Sequence, residues 1–407
     1  MDNILYFTVR QNILKKKNAL FEAIKEEEKK IGYYHLPFGN IQKIQAQLQS
    51  FNDEIKDIVV IGIGGSSLGA KAIYNFLKPQ KSFAKRLFFL ESTDPLHIQN
   101  IQNQIDLKKT HFFIISKSGT TLETIALFKY FFNKCKKEQF SFISELNSPL
   151  AKVAKELNAS FFEIPKNVGG RFSVLSNVGL VPLAMVGVDI DKLLLGARKI
   201  YKSFFEDGYI KDTLLKKALF YAKKHQQFHI NVLFAYSESF KYFVQWYIQL
   251  WGESLGKRQK HSIFNVGLTP IGLIGPEDQH SFLQLIMEGT RDKTITFLTI
   301  KNFMQDLSIP DISFEPLKEL DMLNNLSFDT LINLQSQSIK EALLMQEDIP
   351  VDEIILENVD EESIGKLIFY YELLTSLVGY LIDVNTYNQP GVELGKKILK
   401  EKLKDCK

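Results

Sequence analysis

The chain has 407 residues, 45% of them hydrophobic and 24% charged, and a formal net charge of +3. That length is enough for two or three domains with their own cores, and so small a charge implies no nucleic-acid or membrane partner. Only two cysteines occur, Cys135 and Cys406, far apart in sequence, so neither a disulfide framework nor a cysteine-based metal site is expected.

Residues 1–50 read as a helical segment whose start, MDNILYFTVR, lacks the apolar core and small-residue cleavage site of a signal peptide. A reducing, cytoplasmic setting is the expectation. DIVVIGIGG (57–65) reads as a strand running into glycines, with helical spacing in SLGAKAIYNFL after it. RLFFLES (86–92), THFFIISKSGTT (110–121), FSFISE (140–145) and SFFEIP (160–165) read as four further strands, with helices at LETIALFKYFF and around PLAKVAKEL. Continuous apolar strands with crossover helices imply a parallel sheet covered on both faces, a doubly wound α/β domain. The stretch VGLVPLAMVGV (178–188) is too short for a membrane span and is broken by Gly and Pro, so it reads as a buried element.

Residues 186–228 read mostly helical and join this domain to a second, less regular α/β pattern. Its expected strands are NVLFAYS (231–237), HSIFNVGL (261–268) and KTITFLTI (293–300), with a long helix through KYFVQWYIQLW. Helices are expected from about residue 330 onward, and the lysine-rich end KKILKEKLKDCK reads as the solvated face of a terminal helix.

Two stretches, WGESLGK (251–257) and GVELGK (391–396), look like the end of a nucleotide-binding P-loop. A P-loop needs four residues between its first Gly and the Gly-Lys pair; both stretches have three, and neither Lys precedes Ser or Thr. Glu253 is the more informative residue. It lies four positions after Gln249 on one helix face, as a candidate base, whereas Lys257 reads as incidental.

The turn IGIGGSSLG (61–69) follows a strand and opens a helix. Ser67 stands where a dinucleotide fingerprint needs Gly, although Glu91 at the end of the next strand keeps that reading open. Alternatively, Gly65 and Ser66 bring backbone close to a small polar ligand. SKSGTTLET (116–124) lies at the C-terminal end of a strand and precedes a helix. Its hydroxyls at Ser116, Ser118, Thr120 and Thr121 exceed what helix capping requires and suit a monophosphate. VGGRFSVLS (168–176) puts Arg171 in a glycine turn at the same sheet edge, where it could reach an anion. His280 in GPEDQHSFLQL is a candidate titratable group. His225 and His229 have i,i+4 spacing but neither the Glu of HExxH nor an obvious third ligand, so no metal is expected.

Taken together, IGIGGSSLG, SKSGTTLET, VGGRFS, WGESLGK, DQHSFLQL and QPGVELGK occur in the order seen in the phosphoglucose isomerase family, which the chain resembles from about residue 57 to 397. The resemblance implies an α/β protein of two doubly wound parallel-sheet domains of the sugar-isomerase (SIS) type with helical N- and C-terminal segments. Expected limits are 1–50, 51–190, a helical connection 191–228, 229–385 and a terminal helix 386–407. It implies interconversion of glucose 6-phosphate and fructose 6-phosphate, in glycolysis and gluconeogenesis, by a homodimer without cofactor, nucleic acid or membrane partner.

Residue by residue, the resemblance makes Glu253 the proton-transferring base, His280 the ring-opening histidine and Lys396 the lysine assisting at the ring oxygen. Arg171 becomes the arginine facing the enediolate. Ser116, Ser118 and Thr121, with Lys117 and Thr120 in the same loop, correspond to the phosphate site. Gly65 and Ser66 correspond to the sugar-binding turn, and Gln249 and Gln389 to two glutamines lining the site. Departures are Pro390 where many members have Trp, Leu255 where many have Asn, and a reduced N-terminal region.

The chemistry agrees with these residue types. Aldose–ketose isomerisation is redox-neutral and needs no nicotinamide. It needs a ring-opening pair, a base that moves a proton between adjacent carbons, and a cation at the enediolate oxygen. Two rivals remain at this level: a non-catalytic sugar-phosphate sensor, which would keep SKSGTT and lose the base, and a nicotinamide-dependent dehydrogenase, which would need glycine at Ser67.

Overall fold

The computed structural model describes residues 1–406 apart from 50, 52, 53 and 207. The N-terminal segment expected to be helical begins with a strand, β1 (Asp2–Leu5), before its helices at Lys17–Glu28 and Gln42–Leu48. Five parallel strands follow: β2 (Asp57–Ile61), β3 (Arg86–Leu90), β4 (Thr110–Ile115), β5 (Phe140–Ser144) and β6 (Phe161–Glu163), in the order β3-β2-β4-β5-β6. Every residue of β2, β4 and β5 is buried, which is why they read as unbroken apolar runs. Alternation still sorts their side chains. Ile58 and Val60 face one core, and Val59 and Ile61 face another beneath the helices of the opposite side. The helices therefore cover both faces, as a doubly wound sheet requires.

The second sheet contains β7 (Ile230–Ala235), β10 (Thr269–Ile274), β11 (Lys293–Asn302) and β12 (Val351–Asn358), all parallel, with β1 added antiparallel to β12 at one edge. Its order is β1-β12-β11-β7-β10. A small antiparallel pair, β8 (Lys257–Arg258) and β9 (Asn265–Val266), lies between β7 and β10 in the chain.

Three expectations shift here. The strand expected at 261–268 is reduced to Asn265–Val266, and the strand that joins the sheet starts at Thr269. Pro270 and Gly272 disguise it, but β10 pairs only with β7, and an edge strand tolerates a proline. Gly272 also has a packing reason, since a Cβ there would lie 2.6 Å from Val244 Cβ on the helix Lys241–Leu255. The third shift is β12, in a region expected to be helical. Asp352 and Glu353 break its apolar pattern, yet both are buried with partners. Lys217 Nζ reaches Asp352 Oδ2 at 2.6 Å, and Lys340 Nζ reaches Glu353 Oε2 at 2.5 Å.

One core joins the two sheets, from Val60 and Ile115 to Leu298 and Leu356. The helix Glu361–Leu381 runs through it, buried nearly all round. It crosses the helix Ile190–Phe205 closely enough that a Cβ on Gly196 or Gly365 would sit 2.0 Å from a carbonyl oxygen of the other helix. Among the described residues, no helix is long and apolar enough to cross a membrane.

Candidate active site

The site is assembled where the loops at the C-terminal ends of β2 and β6 meet the helix Lys241–Leu255, with the end of β4 beside the β2 loop. Gly64 takes φ +61°, the left-handed region that glycine enters without penalty. A Cβ on Gly64 would lie 2.6 Å from Gln249 Nε2, and one on Gly65 would lie 2.3 Å from Gly170 O. The glycines of IGIGGSSLG thus let bare backbone touch Gln249 on one side and the Gly170–Arg171 turn on the other. Ser173 Oγ donates to Gly170 O at 2.6 Å and to Gly65 O at 3.4 Å, fastening the two turns together.

Arg171 is 3% exposed, with its donors directed at fixed acceptors. Nε donates to Ser254 Oγ at 2.7 Å and Nη1 to Gln389 Oε1 at 2.8 Å. Nη2 donates to Thr386 O at 2.6 Å and to Asn388 O at 2.9 Å. Nη1 also stands 3.7 Å from Glu253 Oε1. Burial pulls the guanidinium below its ordinary value and the Glu253 carboxylate opposes that pull; an arginine keeps its charge either way.

Glu253 lies in the last turn of its helix, on the face expected from its spacing. Gln249 Nε2 donates to Glu253 Oε2 at 3.2 Å, so Gln249 Oε1 turns away from the carboxylate. That oxygen is buried and has no hydrogen-bond partner among the described residues. Glu253, Lys257, Asn388 and Gln389 line a cleft of about 940 Å³. A buried arginine facing a half-buried carboxylate at an open cleft supplies a proton acceptor beside a fixed positive charge.

The loop after β4 adjoins the glycine turn, because a Cβ on Gly62 would lie 3.1 Å from Ile115 O. Ser116 Oγ and Thr121 Oγ1 are 2.8 Å apart, and Ser118 Oγ accepts from Thr120 N at 3.3 Å and Oγ1 at 3.1 Å. Thr121 is the N-cap of the helix Leu122–Phe132, yet its side chain caps no backbone N–H. Lys117 Nζ donates to Lys166 O at 3.0 Å and stands 3.4 Å from Glu145. Behind the loop, Gly119 has φ +68°, and Ser144 Oγ donates to Ser116 O at 2.6 Å.

Residues 41–407 match the sequence profile of the family described as "Phosphoglucose isomerase". The chain belongs to the phosphoglucose isomerase family. It is 43% identical to a glucose-6-phosphate isomerase of Campylobacter jejuni over 99% of both chains. A crystal structure of a hypothetical protein from Thermus thermophilus superposes with TM-score 0.85 at 31% identity, covering 96% of this chain and 94% of that one. The fold alone is shared with the tagatose-6-phosphate ketose/aldose isomerase of Escherichia coli, at TM-score 0.52 and 13% identity over 94% of each chain. The two parallel sheets are therefore of the sugar-isomerase type within the phosphoglucose isomerase family.

Not every candidate lies at this cleft. His280 ends the 3-10 turn Glu277–His280 after β10 and is exposed. Lys396 stands on the helix Glu393–Asp405, which has no buried residue, and pairs with Glu393 at 2.7 Å. Neither lines the cleft that holds Glu253. Glu91 accepts from Ser67 Oγ at 2.7 Å and pairs with Lys71, so both its oxygens are engaged where a dinucleotide would need one for ribose.

Three residues were missed by the sequence reading. Ser254 follows the candidate base directly and could have been read from that position. Lys257, set aside as incidental, lines the cleft, and burial together with the Arg171 charge brings its ammonium down to about 8. Tyr387 is half-buried and bonds Glu27 Oε1 and Ser376 Oγ, the first a pairing across most of the chain that no local pattern signals.

Proposed function

We propose that this protein interconverts glucose 6-phosphate and fructose 6-phosphate without a cofactor, through ring opening and a cis-enediolate. The single observation that carries the reading is Glu253, which lines one cleft, beside the charge of Arg171. Glu253 takes the proton from C2 and returns it at C1 from one face, and Arg171 stabilises the enediolate oxygen. Gln249 and Gln389 orient the sugar hydroxyls; the unpartnered Gln249 Oε1 supports an acceptor role toward one of them. Gly65 and Ser66 bring backbone to the sugar. Ser116, Lys117, Ser118, Thr120 and Thr121 hold the phosphate, whose binding energy fixes the sugar over the base.

Ring opening is assigned to His280 and Lys396. Both are exposed within one chain, and a second copy in a homodimer is the simplest way to complete the cleft. Exposed apolar side chains at Phe314, Leu317, Met322, Leu394 and Ile398 support such an assembly. The division of the chain at about residues 50, 190, 228 and 385, and a cytoplasmic location with a role in glycolysis and gluconeogenesis, belong to the same proposal.

The test is direct. Purified protein given fructose 6-phosphate without any nucleotide is expected to form glucose 6-phosphate, and solvent deuterium is expected to enter at C2. No turnover would leave the sensor reading standing. Turnover only with a nicotinamide would favour the dehydrogenase.

A further inference from the structure

We infer that Lys257 is a positioning residue for the reaction: its ammonium fixes the turn Asn385–Asn388 and, through that turn, the guanidinium of Arg171. The inference rests on the reading that Arg171 acts on the reacting sugar.

Lys257 Nζ donates to Asn385 O at 2.9 Å, to Asn388 O, and to Asn388 Oδ1 at 3.4 Å. An ammonium has three donors, and this turn engages all three. None is left for a substrate hydroxyl, so the side chain does not bind substrate even though it lines the cleft. What it holds is specific. Asn388 O also accepts from Arg171 Nη2, so one carbonyl is shared by two cations. Thr386 O and Gln389 Oε1, in the same short segment, accept from Arg171 as well. Three of the four acceptors around the guanidinium therefore move with the turn that Lys257 ties down. The turn carries no regular ladder of its own, and Tyr387 fastens its far side, where the hydroxyl meets Glu27 and Ser376 and the ring packs on Phe172.

Lys257 also stands at the right place in the chain. It follows Glu253 by four residues, where the helix gives way to β8, so the base and the lysine that steadies its cation are fixed by one segment. The charged groups around the ammonium are Arg171, which opposes it, and Glu253, which supports it. Removing the lysine leaves Asn385 O and Asn388 Oδ1 without this donor and relaxes the acceptors on Arg171. Because the enediolate develops after binding, that loss falls on kcat more than on KM.

A double-mutant cycle on the full-length protein tests this. Lys257→Met is expected to lower kcat about tenfold with KM within about twofold, and Lys257→Arg is expected to recover most of the loss. In an Arg171→Lys background, Lys257→Met is expected to change kcat by less than about twofold, because the group it acts through is already altered. The same loss in both backgrounds, or an unchanged kcat for Lys257→Met, would overturn the inference; so would a rise in KM with kcat intact, which would make the ammonium a substrate ligand. Lys257→Gln carries the same cycle if the methionine variant does not fold. Wild-type protein that fails to isomerise would defeat the reading of the reaction instead, so the two failures are told apart.

Discussion

WGESLGK and GVELGK share a Glu, a Leu and a final Gly-Lys, yet the fold treats them as opposites. In the first, Leu255 is fully buried, Glu253 faces Arg171, and Lys257 binds a neighbouring turn. In the second, Leu394 is 67% exposed, and Glu393 and Lys396 pair with each other across one helical turn. The first stretch ends a helix packed against the edge strand β10, and the second opens a helix with no buried residue. A short motif names side chains, whereas the surface packed around it decides how each of them is held within one chain.

The comparison can be broken most forcefully at its two glutamates. Glu253→Gln is expected to lower kcat by about a hundred to ten thousandfold, the usual contribution of a positioned base. Glu393→Gln is expected to cost far less, because its carboxylate faces Lys396 and not Arg171. Equal losses in a fructose 6-phosphate assay would erase the distinction. Next comes the cation beside the base. Arg171→Met should cost about a hundred to a thousandfold in kcat, with a smaller change in KM; steady-state kinetics across substrate concentrations would show it.

Packing gives the third contrast. Leu255→Ala removes a fully buried side chain and is expected to cost about 2–5 kcal/mol in denaturant unfolding. A midpoint equal to wild type would mean that this helix end is less tightly held than its burial indicates.

A finer probe is pH at Lys257. Its folded value is depressed to about 8 by burial and by Arg171, with Glu253 opposing. Keeping it charged costs stability below that pH, and the cost is relieved as pH rises from about 8 toward the ordinary 10.5. Activity should move the other way. As the ammonium loses its proton it loses a donor, and kcat is expected to fall above about pH 8 in wild type but not in Lys257→Arg. Identical alkaline limbs for the two proteins would remove Lys257 from the profile.

A last probe lies away from the cleft. Burial brings His111 to about 3, while its nitrogen stays bonded to Ser141 Oγ at 2.9 Å. The unfolded chain takes up this proton first, so stability from this group is present above about pH 6.5 and is lost as pH falls toward 3. His111→Asn should show a shallower loss between those values in a melting series.

Legibility followed sequence distance. The first sheet could be read almost entirely, because buried parallel strands are continuous apolar runs and each of its candidate loops directly follows one of them. Glu253 and Gln249 were legible because helical spacing is local. The strand β10 was obscured by Pro270, tolerated only because the strand is an edge, and β12 by two carboxylates whose partners lie elsewhere in the chain. Lys257 was misjudged for the same reason, since its acceptors lie 128 to 131 residues away. The resemblance implied a residue set, but neither it nor the spacing indicated that His280 and Lys396 would stand on exposed elements.

The short turn around Arg171 has a consequence for synthesis. Of the four acceptors on the guanidinium, only Ser254 precedes residue 386. Tyr387, in that turn, reaches back to Glu27 across 360 residues. A nascent chain that has released its base, its glycine turns and both sheets still has a loosely held arginine. Deleting residues 386–389 is therefore expected to spare most of the fold while freeing the guanidinium from three of its four acceptors.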